Sequence, residues 1–497
     1  MKKYEYAILS IILLSAFFIN SFYNTNSFPI HPDEYTHIAQ GVDIIEKGKI
    51  DFVNPYFSYP LFHPRLESGF HLLLAILIII FKDNFIFWFN FLKNLIFVLN
   101  TFLIFFLAYR ISKNFLIGIF SATFFLFLKS DLAIYGNLFL VPLTLSIALI
   151  MLFFIFFFSE KKNSLYYSII LFIMTLITYP PASVLIFLLI LLNFIINFKE
   201  LKSNKKYIYI LSSSVALLLI AFIIFLIKIP NENPLLVIIN NFIIFKQQWT
   251  PIKSKYSPIS FYGTTAFLLA FLGFITLLFK SFKNTHKESN SNEKSSKENF
   301  ILILFIFGLI ETYFYYIFKF TLFLPFPRIF FYYLISLCFL SAFGIQSILD
   351  NSKSFIKNKN IFYITLTIIL CIIFINQFFI FHENAKSQKF QNILDESKYQ
   401  SLNFIKDNYG KKNTIIADDF ISFAVFPLTR NYVVSILDSN LAAGMRSKQI
   451  EFFQGNCEKK KEISNELNIS LILTEKNINC NPAKLVYNKK INVYETK

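Results

Sequence analysis

The chain has little of what soluble active sites are usually built from. Cys occurs four times and His six times in 497 residues, and both are scattered, which argues against a disulfide scaffold and against a multi-ligand zinc module. Gly, at 12 positions, is sparse for paired broken helices, and no internal repeat is visible, so the two-halved plan of many transporters finds no support. Charged residues are only 15% of the chain against 55% hydrophobic, and mean hydropathy is +0.55. No water-facing surface absorbs that much apolar side chain: Phe alone fills 67 positions, and residues 151–158 carry no polar group. A purely soluble enzyme is excluded, and the chain reads as an integral membrane protein.

What charge there is has a pattern. The formal balance is +17, from 47 Lys and Arg against 30 Asp and Glu, an excess that would suggest nucleic acid if it formed a patch. It does not. Arg110 and Lys113, Lys161 and Lys162, and the Lys of 199–206, 280–297 and 353–359 fall on every second connection between apolar runs, as the positive-inside rule expects. Nucleic acid is not needed to explain them. Runs long enough to cross about 30 Å, at roughly 20 residues each, lie at 6–23, 85–109, 115–128, 132–158, 165–179, 182–198, 207–226, 264–279, 300–317, 328–349 and 361–381. The expectation is about 11 transmembrane helices, multi-pass in a cell membrane, with a cytoplasmic N-terminus and an extracytoplasmic C-terminus. Residues 71–81 are apolar too, but a helix of roughly 11 residues reaches only about 17 Å and suits an interfacial or re-entrant position.

Three segments break this pattern. The first external loop, 24–69, is acidic, and the second, 228–262, is basic. The tail, 382–497, reads as a small extracytoplasmic α/β domain, with strands at 414–417, 432–437, 471–474 and 486–494 and helices around 390–409 and 458–467. The expected domains are therefore 1–381, transmembrane, and 382–497. No His follows His382, so neither a Ser-His-Asp triad nor a His-bound zinc can assemble within the tail. Cys457 and Cys480 both fall there, and a disulfide between them is one of two open readings.

The most informative string is His31-Pro32-Asp33-Glu34-Tyr35-Thr36-His37, which opens a helix-like pattern ending at Gly48. Pro32 suits a first turn, Ile38, Val42 and Ile45 recur at helical spacing, and Gly48 can terminate. Adjacent carboxylates at a membrane surface suit general-base work, one accepting a proton from a hydroxyl while the other fixes the acceptor or a cation. The plainer reading is that acidic residues favour helix N-termini through the macrodipole. His31 and His37 flank Asp33, and Asp33 and His37, four apart, share a helix face. A divalent metal there is possible, with these two His as weak candidates, against the commoner outcome of local hydrogen bonds.

A first span, an outer-face Asp-Glu helix, an aromatic and Pro-rich stretch (Asn54-Pro55-Tyr56 to His63-Pro64-Arg65) and a short apolar helix together resemble the GT-C superfamily of polyprenyl-phosphate-sugar-dependent glycosyltransferases. Within it, the chain looks most like the protein O-mannosyltransferase and lipid A aminoarabinose transferase type, and the His-Pro-Asp-Glu string is also similar to that of lipid-linked mannosyltransferases. The specific match covers roughly the first 70 residues. The resemblance implies a polytopic α-helical GT-C-like membrane protein that moves a sugar from a polyprenyl (dolichyl-type) phosphate donor to a hydroxyl of a lipid-linked glycan, lipid or protein acceptor, with inversion. It makes Asp33 the catalytic carboxylate, Glu34 its companion and Glu67 a second loop carboxylate. The en bloc oligosaccharyltransferase version carries a Trp-Trp-Asp motif in its tail, whereas the Trp here are Trp88 and Trp249, so a single-sugar transferase is preferred.

Such a reaction needs cations for the departing lipid phosphate. Lys246, Lys253 and Lys255 of the basic loop, with Lys319 and Arg328, are the candidates, Arg328 foremost because a guanidinium grips phosphate with two donors. Snorkelling to headgroups is the competing reading for each Lys. Asp131, at a helix junction, is a further candidate carboxylate, and Glu311 and Lys93 fall inside apolar spans, where a charge requires a partner or a purpose. A lipid or glycolipid transporter without transferase activity is the alternative.

Overall fold

Uninterrupted apolar runs in lipid must satisfy every backbone amide internally, and here they do so as helices. The protein is described from a computed structural model covering residues 2–23, 28–61, 67–129, 136, 138–202, 204–228, 244–246, 257–285, 292–355, 371–383, 393–437, 443–480 and 483–496. The chain opens with helices α1 (Lys3–Tyr23), α2 (Pro32–Lys47), α3 (Ser68–Phe81) and α4 (Phe85–Ser112). Among the described residues, 6 helices are long and apolar enough to cross a membrane, one of them a continuous 45-residue stretch, Ser68–Ser112, that joins α3 to α4. Five shorter apolar helices, Phe115–Leu126, Pro142–Phe157, Ser164–Thr178, Pro180–Ile196 and Cys371–Glu383, overlap the remaining expected spans, of which 132–135 and 361–370 lie outside the described residues.

Packing divides the chain into two compact units, residues 1–23 with 93–388, and residues 24–92 with 389–497. The expected boundary at 381 rests on hydropathy alone. The packing boundary follows contact instead, and it groups the acidic loop with the tail.

In the first unit the helix Phe326–Phe355 is buried along nearly its whole length. It crosses the helix Thr264–Thr285 where two glycines face each other: a Cβ on Gly273 would lie 1.9 Å from the Leu340 carbonyl oxygen, and one on Gly344 2.1 Å from that of Leu269. Only Gly permits backbones that close, the small-residue contact by which membrane helices associate. Glu311, the expected intramembrane carboxylate, has a partner: it accepts the Leu322 amide at 2.8 Å. Lys206 acts as a helix-end cap, its Nζ donating to the carbonyls of Phe156, Phe157 and Ser159 at 2.9, 2.7 and 2.6 Å, where the dipole of the Pro142–Phe157 helix favours a cation.

In the second unit α2 and α3 pack closely, and the tail forms a five-stranded sheet. Strands β1 (Ile244–Lys246) and β2 (Phe320–Leu322) pair in the first unit; β3 (Thr414–Ala417), β4 (Tyr432–Val433), β5 (Ile469–Thr474), β6 (Ala483–Asn488) and β7 (Asn492–Thr496) lie in the tail in the order β4-β3-β5-β7-β6. β3 is parallel to β4 and β5, and β7 is antiparallel to β5 and β6. The near-continuous apolar run of β5 is what a strand covered on both faces needs. The expected strand at 486–494 is two, folded back as a hairpin through Lys489 to Ile491, a turn without the Gly or Asn-Gly that usually announces one. Cys457 and Cys480 form a disulfide, with Cα atoms 5.4 Å apart.

Candidate active site

Everything the sequence singled out around residue 33 is organised by the first turn of α2. His31 is its N-cap in extended conformation, and its Nδ1 accepts the Asp33 amide at 3.1 Å. Glu34 reaches back so that Oε2 accepts the amides of Ile30 and His31 at 2.9 and 3.1 Å, completing a capping box with a histidine in the place usually held by Ser or Thr. Gly48 closes the helix in the left-handed region at φ 65°, its amide bonded to the Ile44 carbonyl at 2.9 Å. Glu34 is fully buried, while Asp33 is half-buried. Among the described residues the Asp33 carboxylate has no hydrogen-bond or ion-pair partner. Two adjacent carboxylates thus have different environments: one holds the backbone, the other is presented.

One turn further on, α2 meets α3. His37 Nδ1 lies 3.0 Å from His71 Nε2, and 3.8 Å from Glu67 Oε2. Glu67 stands at the N-cap of α3, and with His71 four residues on it occupies one face of that helix's start. Gly41 allows the approach, since a Cβ there would lie 3.1 Å from Leu74 Cβ, 3.2 Å from the Ala75 amide nitrogen and 3.4 Å from the His71 carbonyl oxygen. Ligand atoms of His37, Glu67 and His71 all fall within 4.8 Å of one another, so these three side chains can hold a metal ion. Of the two His expected as metal candidates, His37 joins this cluster and His31 is the helix cap. His71 was not expected. Its signal was the Glu67-to-His71 spacing at the head of an apolar run.

A third neighbour is Tyr56. It is fully buried, packs against Phe423 and Phe426 at ring distances of 6.4 and 6.1 Å, and donates to the Phe423 carbonyl at 2.8 Å. Burial pushes its phenol far above the ordinary tyrosine range, opposed by a hydrogen bond with Thr36 and reinforced by the charge of Asp33. Tyr56 therefore stays a neutral donor beside the presented carboxylate.

The candidate phosphate-binding residues lie in the first unit. β1 and β2 pair antiparallel with Lys246 opposite Phe320, the residue that follows Lys319. Lys319 is exposed, with Nζ donating to the Tyr316 carbonyl at 3.2 Å, and Arg328 is half-buried in the first turn of Phe326–Phe355. Lys253, Lys255 and Asp131 lie outside the described residues.

No family model matches the sequence, and no curated protein matches it. Among solved structures, the oligosaccharyltransferase of Archaeoglobus fulgidus in its apo form superposes over 95% of this chain and 70% of its own, with a TM-score of 0.64 at 11% identity. ArnT from Cupriavidus metallidurans, bound to undecaprenyl phosphate, superposes over 99% of this chain and 98% of its own, with a TM-score of 0.59 at 8% identity. Both are GT-C superfamily glycosyltransferases. The chain has the GT-C fold. Within this fold, the side chains brought together are those of His37, Glu67 and His71, one turn from Asp33.

Proposed function

We propose that the chain is a membrane glycosyltransferase that moves a single sugar from a polyprenyl phosphate of the dolichyl type to an acceptor hydroxyl on the extracytoplasmic face, with inversion. The observation that carries the reading is Asp33: a half-buried carboxylate, held at the start of a doubly capped helix and without a partner among the described residues, on a GT-C fold. Asp33 takes the proton of the acceptor hydroxyl as its oxygen attacks the anomeric carbon; the bond from that carbon to the phosphate oxygen breaks, and the polyprenyl phosphate leaves with the electron pair. Arg328, with Lys319 and Lys246 and the loop residues Lys253 and Lys255, is assigned to the growing phosphate charge. Glu34 is assigned to holding the turn that presents Asp33, and Glu67 to the His cluster below it.

Two further facts support the donor class and the single-sugar form. ArnT has been solved with undecaprenyl phosphate, a polyprenyl phosphate, and the present chain spans 98% of it against 70% of the oligosaccharyltransferase. The alternation of basic connections supports an N-terminus on the cytoplasmic side and an extracytoplasmic tail. The acceptor class is a lipid-linked glycan, a lipid or a protein. The test is reconstitution of the full chain in vesicles with polyprenyl-phosphate donors carrying a labelled sugar. Label appearing in an acceptor with equimolar release of polyprenyl phosphate supports the reading; movement of intact donor between leaflets without release overturns it in favour of transport.

A further inference from the structure

We infer that His37, Glu67 and His71 form a three-ligand site for a divalent first-row ion of the zinc type, with a remaining position open to an oxygen donor. Each residue offers one ligand atom from a different point of the α2–α3 junction, and the atoms lie within 4.8 Å of one another. Zn–N and Zn–O bonds of about 2.0–2.1 Å in a tetrahedron set neighbouring ligands roughly 3.3 Å apart. The observed 3.0 Å from His37 to His71 and 3.8 Å from His37 to Glu67 bracket that spacing, and the third pair lies within 4.8 Å. Two imidazoles with one carboxylate is also the donor set that first-row ions favour, whereas Mg²⁺ and Ca²⁺ prefer oxygen alone.

Access and rigidity fit as well. His71 is buried, while the side chains of His37 and Glu67 are 12% and 29% exposed, so an ion has a way in. The cluster is held by packing: Gly41 brings α2 down on the backbone of α3, and the His37 ring stands edge-on to Phe70 at 5.3 Å. Without an ion the two rings share a single hydrogen bond, which requires one N–H and one lone pair at the 3.0 Å contact. On binding, both nitrogens must present lone pairs; the ring that was donating carries its proton on its other nitrogen instead, and no proton is lost from a neutral pair.

The competing reading is a structural His–His hydrogen bond with a carboxylate nearby, and metal content separates the two directly. Full-length protein in detergent, stripped with chelator and dialysed against buffered Zn²⁺, is expected to retain one zinc per chain by elemental analysis and to gain thermal stability, with no gain from Mg²⁺. His37→Asn and Glu67→Gln are each expected to weaken zinc retention at least 100-fold. Glu67→Gln alters a half-buried helix-start residue and keeps the test open if His37→Asn fails to fold. Equal zinc retention by wild type and Glu67→Gln, or none by wild type, overturns the inference. The measurement is independent of sugar transfer: zinc bound without transfer leaves this site standing and removes the proposed function, and transfer by a wild-type protein that retains no zinc after dialysis against it does the reverse.

Discussion

The Tyr56 hydroxyl donates to the Phe423 carbonyl at 2.8 Å, joining the acidic loop to the tail across 367 positions of sequence. A second bond, from the Val433 amide to the Tyr56 carbonyl at 2.8 Å, fixes the same residue from the other side. Glu46 adds contacts to Lys411 at 3.1 Å and Arg430 at 3.5 Å. The tail is thereby a support for the helix that carries Asp33, and Tyr56 is the buried pin. Tyr56→Phe leaves the Phe423 carbonyl without its donor, a loss of about 1–3 kcal/mol. We expect thermal unfolding in detergent to shift down by several degrees, with a smaller fall in transfer than that caused by altering Asp33.

Glu34 and Asp33 are adjacent but differ in what they touch, and substitution separates them. Glu34→Gln keeps a carbonyl oxygen for the amides of Ile30 and His31, so transfer is expected to survive largely intact. Glu34→Ala removes the cap at a cost of about 1–2 kcal/mol. Thermal unfolding of the two variants beside their transfer rates checks this; loss of transfer in Glu34→Gln at unchanged stability would show a chemical role instead.

How much of this was readable from sequence depends on whether the cause is local. The opening of α2 was legible because Pro32, the acidic pair and Gly48 act within one or two turns, and the long apolar helices followed from apolar run length. The His37–His71 contact was not, since 34 positions separate the two and the approach depends on a glycine, Gly41, that a helical pattern gives no reason to notice. The grouping of the acidic loop with the tail was equally hidden: Tyr56 sits in a stretch that reads as an aromatic loop, and nothing local marks its partner Phe423. In the tail, residues 486–494 read as one strand because the turn between β6 and β7 is made by ordinary residues.

The pH dependence of the tail has a source in Asp418, which follows β3. Burial raises its carboxyl above the ordinary aspartate value, partly offset by the Glu475 amide at 2.8 Å and the Thr474 hydroxyl at 3.0 Å. A raised folded value means the neutral form is favoured on folding. Its stabilisation is complete below the unfolded pKa of about 3.9 and is lost as pH rises through the folded value. Asp418→Asn is therefore expected to flatten that part of the stability profile, as followed by unfolding between acid and neutral pH.

The Cys457–Cys480 disulfide closes a loop with a sequence separation of 23 and ties the start of one tail helix to the segment after β5. Reduction, or Cys457→Ser with Cys480→Ser, is expected to lower stability by about 3 kcal/mol. Denaturant unfolding with and without reductant measures it, and an unchanged midpoint would show that the bond is not formed in the protein as isolated.

The central claim is that Asp33 is the base. The most direct measurement is transfer of labelled sugar from polyprenyl-phosphate donors by membranes containing wild type or Asp33→Asn, a near-isosteric change that leaves the helix cap in place. A general base contributes about 10²–10⁴-fold, so the account predicts a loss of at least 100-fold with insertion and thermal stability unchanged. Transfer by Asp33→Asn at the wild-type rate would contradict it.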